Sequence, residues 1–125
     1  MSNYGHYNQQ YYGNHLDFPE ESFTIKGISN YKENCEGIVK DSTIIMKIDS
    51  DNIYDSTAIA IYFNDNIIGY VPNDNNIKKM CKENINDNLK IINIKPGKYY
   101  GIRVILESFY EYDLELENKA MFADS

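Results

Sequence analysis

Residues 50–72 read SDNIYDSTAIAIYFNDNIIGYVP, and the fold is decided there. "AIAIYF" (58–63) and "IIGYVP" (67–72) are β-branched and aromatic runs of strand length. Asn64-Asp65-Asn66 joins them, and Asn and Asp tolerate the positive φ that tight turns need. The pattern predicts an antiparallel hairpin whose ladder stops at Pro72, which has no N–H to donate. Ahead of the hairpin stand Asp49, Asp51, Asn52, Tyr54 and Asp55, a more polar group than a turn alone requires.

Strand signals continue on both sides. "SFTIKGIS" (22–29) alternates Phe23, Ile25 and Gly27 against Thr24, Lys26 and Ile28, a half-buried strand leading into a loop, "NYKENCEG" (30–37). "TIIMKID" (43–49), "NLKIINIK" (88–95) and "YYGIRVILE" (99–107) are further strands, the last two separated by a Pro96-Gly97 turn. In "NDNNIKKMCKENIND" (73–87), Ile77, Met80, Cys81 and Ile85 recur at helical spacing, and Asp74 or Asn75 can cap the start. "YEYDLELE" (110–117) alternates Tyr110, Tyr112, Leu114 and Leu116 with acids, the pattern of an edge strand whose charges blunt self-pairing. The expected fold is mainly β with one or two helices, a small OB/SH3-like β-barrel.

The 125 residues suit one domain. The opening "MSNYGHYNQQYYGNH" has no aliphatic residue after Met1, so it buries too little to offset its ordering entropy. Residues 1–21 are therefore expected to be a disordered tail, 22–117 the barrel, and 118–125 a second tail. The net charge of −7 is uneven: residues 22–107 carry eleven acids and eleven bases, and the acidity lies in the two ends. A neutral barrel does not exclude a phosphate-bearing ligand. With eleven lysines and one arginine, however, the bidentate guanidinium grip is scarce.

Several classes of chemistry are disfavoured. No run of 18 apolar residues marks a membrane helix, and the first twenty residues lack the basic start and apolar core of an export signal. Cys35 and Cys81 are too few for a disulfide framework, which points to reduced thiols and an intracellular protein, in cytoplasm or nucleus. A calcium loop starting at Asp49 fails, because Tyr54 stands where glycine is needed and Ala60 where glutamate is. His6 and His15 both lie in the N-terminal tail, and no nucleophile motif or phosphate-binding glycine loop occurs. No catalytic residue, metal ligand or cofactor is assigned, and the protein is not expected to be an enzyme.

The stretch "NIYDSTAIAIYFNDNIIGYVP" (52–72) resembles the signature of the HIRAN domain. That signature has an Asn-x-Tyr-Asp loop, Ala-Ile opening a strand, a turn, then Ile-Gly-Tyr-Val-Pro. "IKGISNY" (25–31) and the helix after Pro72 fit the same pattern, and the likeness covers about residues 23–107. It implies a non-catalytic OB- or SH3-like barrel that holds the 3′ end of single-stranded DNA, in replication or repair. A separate helicase-type ATPase or repair protein would then be the partner. The resemblance implies that Asn52, Tyr54 and Asp55 contact the terminal nucleotide, with Asp55 accepting from the 3′-hydroxyl. Tyr31 and Tyr100 (or Tyr99) would offer stacking surfaces, Tyr70 would border the pocket, and Lys32 would help meet phosphate. Two positions depart from DNA-binding members, which carry bases where this chain has Asn30 and Pro72-Asn73; Lys32, Lys78 and Lys79 are the candidate substitutes. The rival reading is a protein-interaction module, a barrel without phosphate contacts whose acidic ends engage a basic partner or mimic DNA.

Overall fold

The computed structural model describes residues 18–110. Six strands form one antiparallel sheet: β1 (Phe23–Thr24), β2 (Ile44–Ile48), β3 (Ile59–Phe63), β4 (Asn66–Tyr70), β5 (Leu89–Lys95) and β6 (Gly101–Leu106). A 3-10 segment (Ile28–Cys35) follows β1, and helix α1 (Asn75–Glu83) follows β4. The strand order is β1-β6-β5-β2-β3-β4. The sheet curls into a small OB-like half-barrel, the mainly β architecture expected.

The curl follows from the period-2 pattern and two interruptions of it. Ile59, Ile61 and Phe63 of β3, and Ile102, Val104 and Leu106 of β6, point into one core with Ile44 and Leu89. In β4, Tyr62 pairs with Ile67 and Ile61 with Gly69, which leaves Ile68 as an extra residue. In β5 the register shifts between Ile91 and Asn93, leaving Ile92 extra. Each bulge bends its strand and sharpens the local twist. Ile68 is nonetheless fully buried and Ile92 nearly so.

The curl brings the outer strands together. Beyond β1, Ile25 N–H donates to the Ile102 carbonyl of β6 at 2.9 Å, while the next residue has already crossed to β4. Lys26 N–H donates to Tyr70 O at 2.8 Å, and Tyr70 N–H returns to Lys26 O at 2.9 Å. Gly69 makes this crossing possible: a Cβ there would lie 2.5 Å from Ile25 Cγ2 and 2.6 Å from Lys26 O.

Local details refine the sequence reading. The hairpin turn is only Asn64-Asp65, with φ of 51° and 65°, the positive pair of a type I′ turn. Asn66 already belongs to β4, opposite Phe63. The alternation predicted for 22–29 breaks at Gly27, whose φ of 78° turns the chain into the 3-10 segment. Ile28, expected on the exposed side, is therefore buried, and the stretch read as a loop buries Cys35 as well. Asp74 caps α1, its side chain accepting from Ile77 N–H at 3.0 Å, and Cys81 is fully buried on the helix's inner face.

Ahead of β1, the Arg103 guanidinium lies 4.5 Å from the Phe18 ring centroid. Tyr110 lies in a helical turn, not an edge strand. That turn is pinned where Asp87 Oδ2 accepts from Ser108 N–H and Oγ. The rest of the strand proposed for 110–117, and the tails before residue 18 and beyond 117, lie outside the described residues.

Replacing Gly69 by alanine tests the crossing. The added methyl has to displace a backbone carbonyl, so stability should fall by about 1–3 kcal/mol, the usual range for overpacking. Urea unfolding reads this as a lower midpoint at an unchanged slope. An unchanged midpoint would mean that β4 and the Ile25–Lys26 segment have room to part.

Candidate functional site

The loop between β2 and β3 is built by its own polar side chains. Asp49 N–H donates to Ala58 O at 2.8 Å and closes its base. Asn52 Oδ1 accepts from Tyr54 N–H at 2.9 Å and from Asp55 N–H at 3.1 Å. This is the side-chain mimic of a backbone turn that Asn favours. Asp55 repeats the device one step on, with Oδ1 accepting from Thr57 N–H at 2.9 Å and Thr57 Oγ1 at 2.5 Å. The result is a fixed loop whose tip projects outward: Ile53 is 87% exposed and Tyr54 91%.

Two neighbouring elements clamp the loop. From α1, Lys78 Nζ reaches Asp55 Oδ2 at 2.8 Å and Thr57 Oγ1 at 2.9 Å. From β4, Tyr70 OH donates to Asp49 Oδ2 at 3.0 Å, and Asn52 Nδ2 donates to the same oxygen at 3.3 Å. The bonds from Lys78, then from Thr57, hold the Asp55 carboxyl well below the usual carboxylate range. Burial first, and then the bond to Asp49, pushes the Tyr70 phenol up to about 12.

Between this loop and the barrel crossing lies a groove of about 440 Å³. Asn52, Tyr54 and Asp55 of the loop line it, together with Tyr70 and Val71 from the end of β4 and Lys26, Gly27 and Asn30 from the segment after β1. Asn73 and Lys78 also line it. Four of the residues singled out in the sequence thus meet here: Asn52, Tyr54, Asp55 and Tyr70. Tyr31 does not line the groove. Lys32 and Tyr100 are elsewhere, lining a shallower depression of about 260 Å³ with Cys35 and Gly97. Tyr99 is 73% exposed and lines neither.

Asp49, Thr57 and Lys26 were not singled out as site residues in the sequence. Lys26 had a signal, since it occupies the solvent side of the alternation around Phe23 and Ile25. The pairing of Asp55 with Lys78 spans 23 residues and had none. Chemically the groove offers a flat, exposed aromatic ring, amide groups and a nearly balanced set of charges. Among the described residues no cluster of three or more His, Cys, Asp or Glu is placed to hold a metal ion, and no helix is long and apolar enough to cross a membrane.

Comparison with known proteins returns no match among protein-family models, curated proteins or solved structures.

The clamp has a pH signature. A depressed folded pKa stabilises above the unfolded value and loses its contribution only as pH falls through the folded one. Asp55 should therefore keep its charge as pH drops through the ordinary aspartate value of 3.8, and the Lys78 contact should persist into strong acid. Carboxyl-carbon NMR titration should show this, with Lys78→Met moving Asp55 back toward the ordinary range. An Asp55 that titrates normally in the wild type would rule out the ion pair in solution.

Proposed function

We propose that the protein is a non-catalytic module that binds single-stranded DNA at a 3′ end, using the groove beside Tyr54, in replication or repair. The observation that carries this reading is Tyr54 itself. Its ring is 91% exposed, yet its backbone is held by Asn52. A loop backbone already fixed in place loses little freedom when a ligand covers the ring it carries, so more of the contact energy appears as affinity. Stacking one base is worth about 1–3 kcal/mol whatever the base. That suits a groove with too few cations to depend on phosphate.

Asp55 fits the role of end reader. A carboxylate has about four acceptor positions, and Thr57 and Lys78 supply three donors to this one. A terminal hydroxyl can take the remaining position on Oδ2, whereas a phosphate in that place meets a like charge. The likeness of residues 52–72 to HIRAN domains supports the same reading from sequence, and a separate ATPase or repair protein would supply any motor. A second reading rests on Ile53, which is 87% exposed beside Tyr54. Together they form an aliphatic–aromatic tip suited to a pocket on a protein partner.

Fluorescence anisotropy with oligonucleotides ending in a 3′-hydroxyl or a 3′-phosphate separates the two. Tyr54→Ala should weaken binding by about 1–3 kcal/mol, with circular dichroism confirming the fold. Asp55→Ala should narrow the preference for hydroxyl ends, because it removes one negative charge and frees Lys78 for a phosphate. If the wild type binds neither oligonucleotide at low salt, the DNA reading fails and the Ile53–Tyr54 tip becomes the place to seek a protein partner.

A further inference from the structure

We infer that Lys26 is the cation that meets ligand phosphate in this groove, and that Lys78 is a positioning residue that holds the Tyr54 loop against helix α1. The inference rests on the DNA-binding reading above and deepens it. Lys26 and Lys78 are the lysines that line the groove. Lys32 lines the other depression, and Lys79 lines neither.

Their surroundings divide the work. An ammonium group has three protons. Those of Lys78 have acceptors within the protein: Asp55 Oδ2 at 2.8 Å, Thr57 Oγ1 at 2.9 Å and, more weakly, Asn73 Oδ1 at 3.5 Å. The side chain retains only 16% of its exposure. Turning it toward a phosphate would strip Asp55 of its counter-charge and release Thr57 with it. Keeping it in place fixes the loop from a helix whose start is itself fixed by the Asp74 cap.

Lys26 is the opposite case. Its side chain is exposed and forms no ion pair or side-chain hydrogen bond among the described residues. Its backbone, in contrast, is held on both sides by Tyr70 in the barrel crossing. An uncommitted ammonium on an anchored root thus lines the same groove as Tyr54. The carboxylate that lines the groove does not neutralise it, since Asp55 is paired with Lys78.

The test is the salt dependence of binding to a fluorescein-labelled oligothymidylate with a free 3′-hydroxyl, combined with amide hydrogen exchange of the unliganded proteins. Lys26→Met should reduce the slope of log K against log salt by about 0.7, the share of one phosphate contact on a single strand. Loop exchange should not change. Lys78→Met should weaken binding by the same factor at every salt concentration and leave the slope intact. It should also speed exchange at the Tyr54 and Asp55 amides while β3 and β4 stay protected. Lys78→Arg, still able to donate to Asp55 and Thr57, should recover both affinity and protection.

A slope lost with Lys78 and kept without Lys26 would overturn the division of labour while leaving the DNA reading standing. Unchanged loop exchange in Lys78→Met would overturn the positioning role. A wild type that binds no oligonucleotide would sink the DNA reading and the role of Lys26 together. The exchange data would still decide whether Lys78 holds the loop.

Discussion

The backbone bridge between Lys26 and Tyr70 is the constraint on which the rest of the structure depends. It joins the two outer strands of a sheet that would otherwise end in two open edges, and it does so with a reciprocal pair of hydrogen bonds at 2.8 and 2.9 Å. Unpaired edges invite pairing with other chains. Here the chain covers part of that liability with its own first strand. Gly69 and Tyr70 make complementary contributions, since one has no side chain to block the approach and the other supplies the paired backbone. Tyr70 then acts a second time through its phenol, which carries the barrel's closure over to the β2–β3 loop by way of Asp49.

The site is therefore held by two independent supports. One runs from the barrel crossing through Tyr70 to Asp49 and Asn52; the other runs from α1 through Lys78 to Asp55 and Thr57. No buried side-chain nitrogen or oxygen lacks a partner among the described residues. Many of the polar side chains around the groove are consumed in building it, while the ring of Tyr54, the ammonium of Lys26 and the side-chain amide of Asn30 are left as available surfaces. The side-chain bonds of Asn52 and Asp55 to nearby backbone are local, whereas the Lys78 contact ties the loop to a distant helix.

How much of this could be read from the sequence depends on the range of the interaction. The β3–β4 hairpin was legible, because Asn64-Asp65 and the flanking apolar runs act locally. The helix was legible too, since the spacing of Ile77, Met80 and Cys81 reports its inner face directly. The burial of Ile28 was missed, because Gly27 takes a left-handed conformation that hydrophobic alternation does not register. Asn52, Tyr54, Asp55 and Tyr70 line one groove. Lys32 and Tyr100 line the separate depression beside Cys35 and Gly97. The Lys78–Asp55 pair was invisible for a different reason: no periodicity or spacing says which loop a helix will meet 23 residues away.

Helix α1 links this arrangement to a thiol. Cys81 lies three residues beyond Lys78, fully enclosed, and burial pushes its pKa up to about 12. In the closed state the sulfur is both shielded from reagents and held in its unreactive protonated form. Any motion that exposes it has to lift α1 from the sheet, and that same motion withdraws Lys78 from Asp55. An adduct at the sulfur would occupy space that the core fills, and the helix could not return to its seat. Oxidative or alkylating damage at a residue outside the groove would in this way leave the Tyr54 loop without its anchor, and the rate of thiol capture is a clock for how often that anchor lets go.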